Sequence, residues 1–548
     1  MEVLVLGEIA SFSRYYERLI RDRQPGVPDE ITPPDHTVAW SDAPSKFTII
    51  RDVPRVPLPS GLTSAGLGEG IGCKDYCLLP PPPGITLDVV SDLLLLGAGI
   101  LGRRVDINWN GQSPESSHHL KALYSRGAAS GGGLYPTEAY LIAEKVEGLA
   151  RGVYHYDAAH HALARLRAGG FRPVLEEACL HSSVASADFL LVVTVRFWKN
   201  LFKYYNFAFQ VVTQDAGCLA DCFQQAAWRL GISTTTLYWF RDEVCARLLG
   251  LEGSEEAVCA VIAARGAERH SPAQDQDSKP VPFPLPELHL RRYERSRRVF
   301  FPALLGELHR ETTAGGDRRP RADSLPEWEA GGAGQVASFP LEQGCRMAKG
   351  FAQSLMERAT SWGRFRLYPP LSGKELSSLL CFVNCSARHA TDIYSSPRGP
   401  SAVRLGLIAR YVSDLPPGVY DQDPHQGQLI LRTGGRTDAQ LQKAYFLENY
   451  NLDQVAAILV VIARLEAVWT AWGGRGLRIM NAEAGMVAER CYVAASALGL
   501  GCGAALGLDA TRINRVLGID GEKESSILLI FIGHQAPSAY AYDFRFRN

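Results

Sequence analysis

The strongest constraint on the fold is a sequence written twice. "GVYHYD" at 152–157 returns as "GVYDQD" at 418–423, 266 positions later. "AGCLADCFQQAAWRLGIST" from Ala216 returns as "AGMVAERCYVAASALGLGC" from Ala484, and "RLLGLEGSEEAVCAVI" from Arg247 as "RVLGIDGEKESSILLI" from Arg515, both 268 positions on. Three matches in one order at nearly one offset mark a duplicated domain, since solenoid units are only about 20–50 residues long. A chain of 548 residues has room for two such domains.

Each copy carries the same pattern. An early helix ("TLDVVSDLLLLGAGI", "SGKELSSLLCFVNC") precedes a strand ("EAYLIAEKV", "RLGLIARYV") and a Gly-Val-Tyr hairpin. A second strand follows ("DFLLVVTVRFW", "VAAILVVIARL"), then an amphipathic helix with apolar residues at i, i+3 and i+4, a short helix and a closing strand. Helices around a strand-rich core with hairpins predict an α+β fold. Residues 1–267 form the first domain and 346–548 the second. The Pro-, Gly- and charge-rich stretch 268–345 reads as a linker, with "RRYERSRR" as a solvated helix face.

A net charge of −1 gives no electrostatic case for nucleic acid or anionic membrane. No apolar run nears the ~18 residues that cross a bilayer, and "LLLLGAGIL" suits a buried helix. The start "MEVLVLGEIASF" lacks the basic region of a signal peptide. The 12 cysteines include no CxxC pair, so reduced thiols, no metal and a cytoplasmic location are expected. The histidines, among them His155, His160 and His161 in a hairpin, read as solvated.

Two kinds of segment carry chemistry. "SRGAASGGGLYPTEAYLI" combines the Ser130 hydroxyl with Gly131, Gly132 and Gly133, which let a flat or charged ligand rest on bare backbone. Leu134-Tyr135-Pro136 can wall an aromatic surface. The stretch is no nucleophile elbow, lacking the GxSxG spacing, and no phosphate loop, lacking GK[ST]. In the second copy, "ERATSWGRFR" offers Arg358, Thr360, Ser361 and Arg364, whose guanidinium and hydroxyl groups can fork a phosphate. "ALGLGCGAALG", with Gly499, Leu500 and Gly501, offers backbone N–H groups to a planar heterocycle.

These residues bring a family into view. "SGGGLYPTEAYLI", "GVYHYD", "KYYNFAFQVVTQDAGCLADCF" and "PSKF…VPRVPLP" make residues 40–263 resemble the SagB-type dehydrogenases of the nitroreductase superfamily, flavin-dependent azoline oxidases of thiazole- and oxazole-forming peptide pathways. Over about 350–533 the second copy resembles the same superfamily through "ERATSWGRF", "PPLSGKELSSLL", "GVYDQD" and "AGMVAERCYVAASALGLGCG". The resemblance implies an α+β dimer with FMN at the interface. One partner supplies the arginines and the late glycines, the other the serine loop. The superfamily's Arg-x-Ser-x-Arg/Lys run is one residue longer here, leaving open whether Thr360 or Ser361 faces the phosphate.

The two copies are damaged in complementary ways. With the early helices matched, Arg358 and Arg364 fall on Gly72 and Leu78, so the first copy has lost both arginines, and its late helix lacks the glycines. The second copy has "SSPRGPSAVRL" in place of the serine–glycine loop. Losing two charged hydrogen bonds costs roughly 3–6 kcal/mol, a 10²- to 10⁴-fold loss of affinity. The expectation is one FMN between two fused nitroreductase-like domains, an intrachain pseudo-dimer that needs no second chain.

The resemblance also implies chemistry. Lys203-Tyr204 matches the Lys-Tyr pair of azoline oxidases. Aromatising an azoline removes a hydride, to flavin N5, and a proton, to a base such as Tyr204 tuned by Lys203. Oxygen would reoxidise the flavin, because no GxGxxG is visible. The substrate would be a thiazoline or oxazoline on a peptide or carrier, with a cyclising enzyme as partner. An NAD(P)H-dependent nitro- or quinone reductase and a non-catalytic binding scaffold are the alternatives.

Overall fold

The structure, a computed structural model, describes residues 11–545 except 25–26, 28, 35, 64–69, 73–83, 107–120, 254, 267–284, 314–318, 322–323, 327, 329–336, 342–345, 386–389, 396–400, 436–437 and 537–540. Near-continuous aliphatic runs form its central strands. Phe189–Arg196 and Ala457–Ala463 bury every residue, as strands covered on both faces must.

Each half builds one antiparallel sheet around such a strand. In the first the order is Arg55–Pro57, Ala162–Ala168, Gly152–Asp157, Thr137–Ala143, Phe189–Arg196, Glu256–Arg265 and Ser233–Leu237. The second repeats it with Ala337–Pro340, Gln428–Gly434, Gly418–Asp423, Val403–Ala409, Ala457–Ala463, Ser525–Gln535 and Gly501–Ala505. The predicted α+β duplication is therefore present strand for strand.

The halves pack through two long helices, Ala208–Arg229 and Gly476–Leu498. A Cβ on Gly217 would lie 1.8 Å from the Ala482 carbonyl oxygen, and one on Gly485 would lie 1.9 Å from that of Gln214. Shifting by 268 exchanges these two contacts, so the helices cross on a local two-fold axis. Only hydrogen side chains permit that approach. Both helices are buried almost all round: the first leaves only Trp228 outside its buried set, the second only Val487, Ser496 and Leu498. The expected amphipathic pattern is thus corrected, because the partner half covers what would have been the solvent face.

Strands are also exchanged between halves. Ala390–Thr391 adds in parallel to Ser233–Leu237 of the first sheet, Arg346–Gly350 pairs with Gly70–Gly72, and Ala541–Arg545 pairs with Ile100–Asp106. The last of these trims the early helix: it runs Leu87–Ala98 and Gly99 ends it, so Ile100 and Leu101 belong to a strand.

Part of the expected linker, 268–284, lies outside the described residues. Residues 303–313 are a helix against Phe12–Arg21. "RRYERSRR" is not a helix but an extended segment on the first half, where Arg292 bonds Glu256 at 2.9 Å. A neutralising carboxylate in the sheet outweighs helix propensity there. The histidines are corrected too. His155 is fully buried, with Nε2 3.2 Å from Glu138 Oε2, and the His161 ring is held between Tyr156 and Pro59. His118 and His119 lie outside the described residues.

Candidate functional site

The serine–glycine stretch is a tight bend set by a buried carboxylate. Ser130 Oγ donates to Asp215 Oδ2 at 2.6 Å, and the Gly131 N–H donates to Asp215 Oδ1 at 2.8 Å. The Tyr135 N–H closes the bend onto Ser130 Oγ at 2.9 Å. Gly132 and Gly133 have φ of 66° and 65°, where a side chain is strained. Burial raises the Asp215 carboxyl to about 7, with the Ser130 and Gly131 bonds working against it.

Lys203 and Tyr204 are what approach this bare backbone. A Cβ on Gly132 would meet Tyr204 Oη at 2.4 Å and Lys203 Nζ at 3.0 Å. The Lys203 ammonium lies 4.7 Å from the Tyr204 ring centroid, and both residues are half-buried. They end the helix Trp198–Tyr204, which packs on the long helix carrying Asp215. One turn earlier the buried Lys199 ammonium donates to the Tyr135 carbonyl at 3.2 Å, the Lys46 carbonyl at 3.1 Å and Glu138 at 3.2 Å. Burial lowers Lys199 to about 8 even with Glu138 beside it.

The second half grips the same bend. Arg358 Nε donates to the Gly127 carbonyl at 2.9 Å, and its Nη2 donates to those of Arg126 (2.9 Å) and Ala128 (3.0 Å). Glu489 Oε2 accepts the Ala129 N–H at 2.7 Å, and burial raises its carboxyl to about 7 against the pull of Arg358. The Arg358 guanidinium also lies 5.4 Å from the Tyr492 ring. Tyr492 Oη in turn reaches Thr360 Oγ1 (3.2 Å) and the Ala504 N–H (2.9 Å). Residues 126–131 are therefore fixed by three buried charged groups, two of them from the other half.

The remaining predicted residues gather behind Arg358. Thr360 bridges to Cys502, and the Ser361 N–H donates to the Cys502 carbonyl at 2.8 Å, which lays the arginine segment along the late glycines. Gly499 ends the long helix at φ 72° with open space beside it, Leu500 is buried, and Gly501 starts the strand. Ser361 is wholly buried with its Oγ unpartnered among the described residues, whereas Thr360 is partly exposed and its Oγ1 lies 3.2 Å from Tyr492 Oη. Arg364 Nε is held by the Ser361 carbonyl at 3.1 Å. Its two Nη groups and Arg358 Nη1 have no partner among the described residues, a donor set that fits a phosphate. Leu134 follows Gly133 in helical conformation at the edge of the bend.

Sequence reading missed Asp215, Glu489 and Tyr492. A signal for the first exists: Asp215-Ala216-Gly217 and Glu483-Ala484-Gly485 place an acid before the crossing glycine in both copies. The structure repeats the device, because Ser401 Oγ and the Ala402 N–H both donate to Glu483.

The pattern of the nitroreductase family matches residues 81–265 and 418–534, more than half of the chain. The chain belongs to the nitroreductase family. A solved structure from Anabaena variabilis described as a nitroreductase covers 96% of this chain and 100% of its own at a TM-score of 0.70 and 19% identity, which shows the fold. The trifolitoxin-processing protein TfxB of Rhizobium leguminosarum bv. trifolii is 25% identical over 197 residues, 35% of this chain. The match spans 50% of TfxB, half the length of that relative. A Methanocaldococcus jannaschii protein described as a nitroreductase is 27% identical over 180 residues, 33% of this chain and 79% of its own. The two halves of this nitroreductase-family chain carry one fold.

Proposed function

We propose that the chain is an FMN-dependent oxidoreductase that converts thiazoline or oxazoline rings, borne on a peptide or carrier, to thiazoles or oxazoles. The observation carrying this reading is Lys203 and Tyr204 seated on Gly132, within a bend whose other face is held by Arg358. The likeness to TfxB, a protein that by its name processes trifolitoxin, supports a peptide-borne substrate.

In this reading Arg358, Thr360 and Arg364 hold the FMN phosphate, and Ser130–Leu134 with Gly499–Gly501 border the rest of the coenzyme. FMN bound there would accept the hydride from the azoline ring and pass the electrons to oxygen. Tyr204, as the phenolate that the Lys203 ammonium beside it favours, takes the proton from the neighbouring ring carbon and becomes the phenol. Glu489 and Asp215 do not touch the substrate. They keep residues 129–131 in place while Tyr204 works.

The reciprocal position supports a single coenzyme per chain. There Ala390–Thr391 pairs with Thr235 and Thr236, and the Asp392 carboxylate accepts the Tyr238 and Trp239 N–H groups at 2.8 and 2.9 Å. Arg319 pairs with Asp392 at 3.2 Å. The counterparts of Tyr238 and Trp239 are Leu506 and Gly507, and no described carboxylate faces them. The domain boundaries 1–267, 268–345 and 346–548 belong to the same proposal.

The test is anaerobic mixing of flavin-loaded protein with a thiazoline peptide. Loss of flavin absorbance with appearance of a thiazole chromophore supports the oxidase. Bleaching by NADPH alone, with none by the thiazoline, supports the reductase reading suggested by the M. jannaschii relative.

A further inference from the structure

We propose that the outer face of residues 293–300, with Trp40, is a docking strip for an acidic, apolar-containing segment of the peptide substrate. The proposal rests on the peptide-oxidising reading and adds to it the chemistry of what flanks the reacting ring.

The strip is built on an extended segment whose side chains alternate. Arg292, Glu294 and Ser296 turn inward, while Tyr293, Arg295, Arg297 and Arg298 are exposed. Its carboxylates are occupied by backbone. Asp42 accepts the N–H groups of Arg297 and Arg298 at 2.7 and 3.1 Å, and Glu294 accepts those of Ser45 and Arg295 at 2.9 and 2.8 Å. The side chains of Arg297 and Arg298 form no ion pair with a described residue. The outward charge is therefore positive.

Exposed apolar groups border these cations. Trp40, Val299 and Phe300 are among the few large apolar side chains open to solvent. Phe300 packs on Trp198 and Tyr205 with centroids at 5.1 and 5.6 Å, and Trp40 packs on Phe202 at 5.4 Å. Trp40 lies 5.9 Å from Lys203 Nζ, so the strip runs directly into the Lys203–Tyr204 pair on Gly132. Contiguous exposed apolar area beside a reaction site marks an interaction surface, and its positive rim selects carboxylates.

The test is fluorescence anisotropy of the flavin-loaded full chain with a labelled peptide of Glu, Asp, Leu and Phe residues. Controls are the same peptide with Lys for its acids and a single-stranded oligonucleotide. Arg297→Glu/Arg298→Glu, and separately Phe300→Ser, should each weaken acidic-peptide binding at least about tenfold with flavin content unchanged. Raising salt from about 0.05 M to about 0.5 M should erase most of the arginine effect and little of the Phe300 effect. Absence of acidic-peptide binding, unchanged affinity in both variants, or tighter binding of the basic peptide or oligonucleotide would overturn the proposal. Acidic-peptide binding without azoline turnover would remove the reaction and leave the docking strip.

Discussion

Arg358, from the second half of the chain, donates its Nε hydrogen to the carbonyl of Gly127, in the first half, at 2.9 Å. With Glu489 on the Ala129 N–H, it makes the bend beneath Lys203 and Tyr204 a joint product of both halves. Neither copy holds that geometry alone.

Removing Arg358 alone should be harsher than removing it together with the Glu489 charge. Arg358→Met takes the donor from three buried carbonyls and the nearby countercharge from Glu489, and should cost about 3–5 kcal/mol. Arg358→Met with Glu489→Gln should recover part of that loss. Urea unfolding of the two variants gives the comparison, and equal destabilisation would show that the two side chains are not coupled.

Gly132→Ala should separate chemistry from stability. Its Cβ falls 2.4 Å from Tyr204 Oη at a φ of 66°, so Tyr204 must move. The expected result is a fall in kcat for thiazoline oxidation of roughly tenfold or more, about 1.4 kcal/mol of barrier, with flavin retained. Steady-state kinetics beside flavin content measures it.

Gly217→Ala and Gly485→Ala should each destabilise the fold by more than the usual overpacking cost of about 1–3 kcal/mol. The new methyl meets a backbone carbonyl that cannot rotate away. Similar losses in the two variants would reflect the two-fold relation; thermal unfolding reads them.

Stability should fall as pH rises from about 4 to about 7. Burial raises Asp215 and Glu489 to about 7, so across that window the folded state binds more protons than the unfolded one. Their stabilising difference is complete below the unfolded carboxyl range and is lost as each ionises. Asp215→Asn should flatten the pH dependence of the urea midpoint, and an unchanged slope would assign the titration elsewhere.

The duplication and both sheets were legible in sequence, because a repeat fixes order. The glycines marked a close approach but not what makes it, which at Gly132 is Tyr204 with Lys203. Burial of the long helices was not legible. Their second face is covered by the other copy, and periodicity reports polarity, not partners. His155 and Arg292 misled for a related reason: each is buried against a carboxylate, Glu138 or Glu256, distant in sequence. Asp215 and Glu489 hide among the polar positions of a helix until the loop they hold is placed beside them.

The most direct measurement is the flavin-to-chain ratio of the purified protein, from absorbance and amino-acid analysis, in the wild type and in Arg364→Ala. A single cradle shared by both halves predicts one FMN per chain, and loss of most of it when Arg364 is removed. Two FMN per chain, or one that Arg364→Ala leaves untouched, would contradict it.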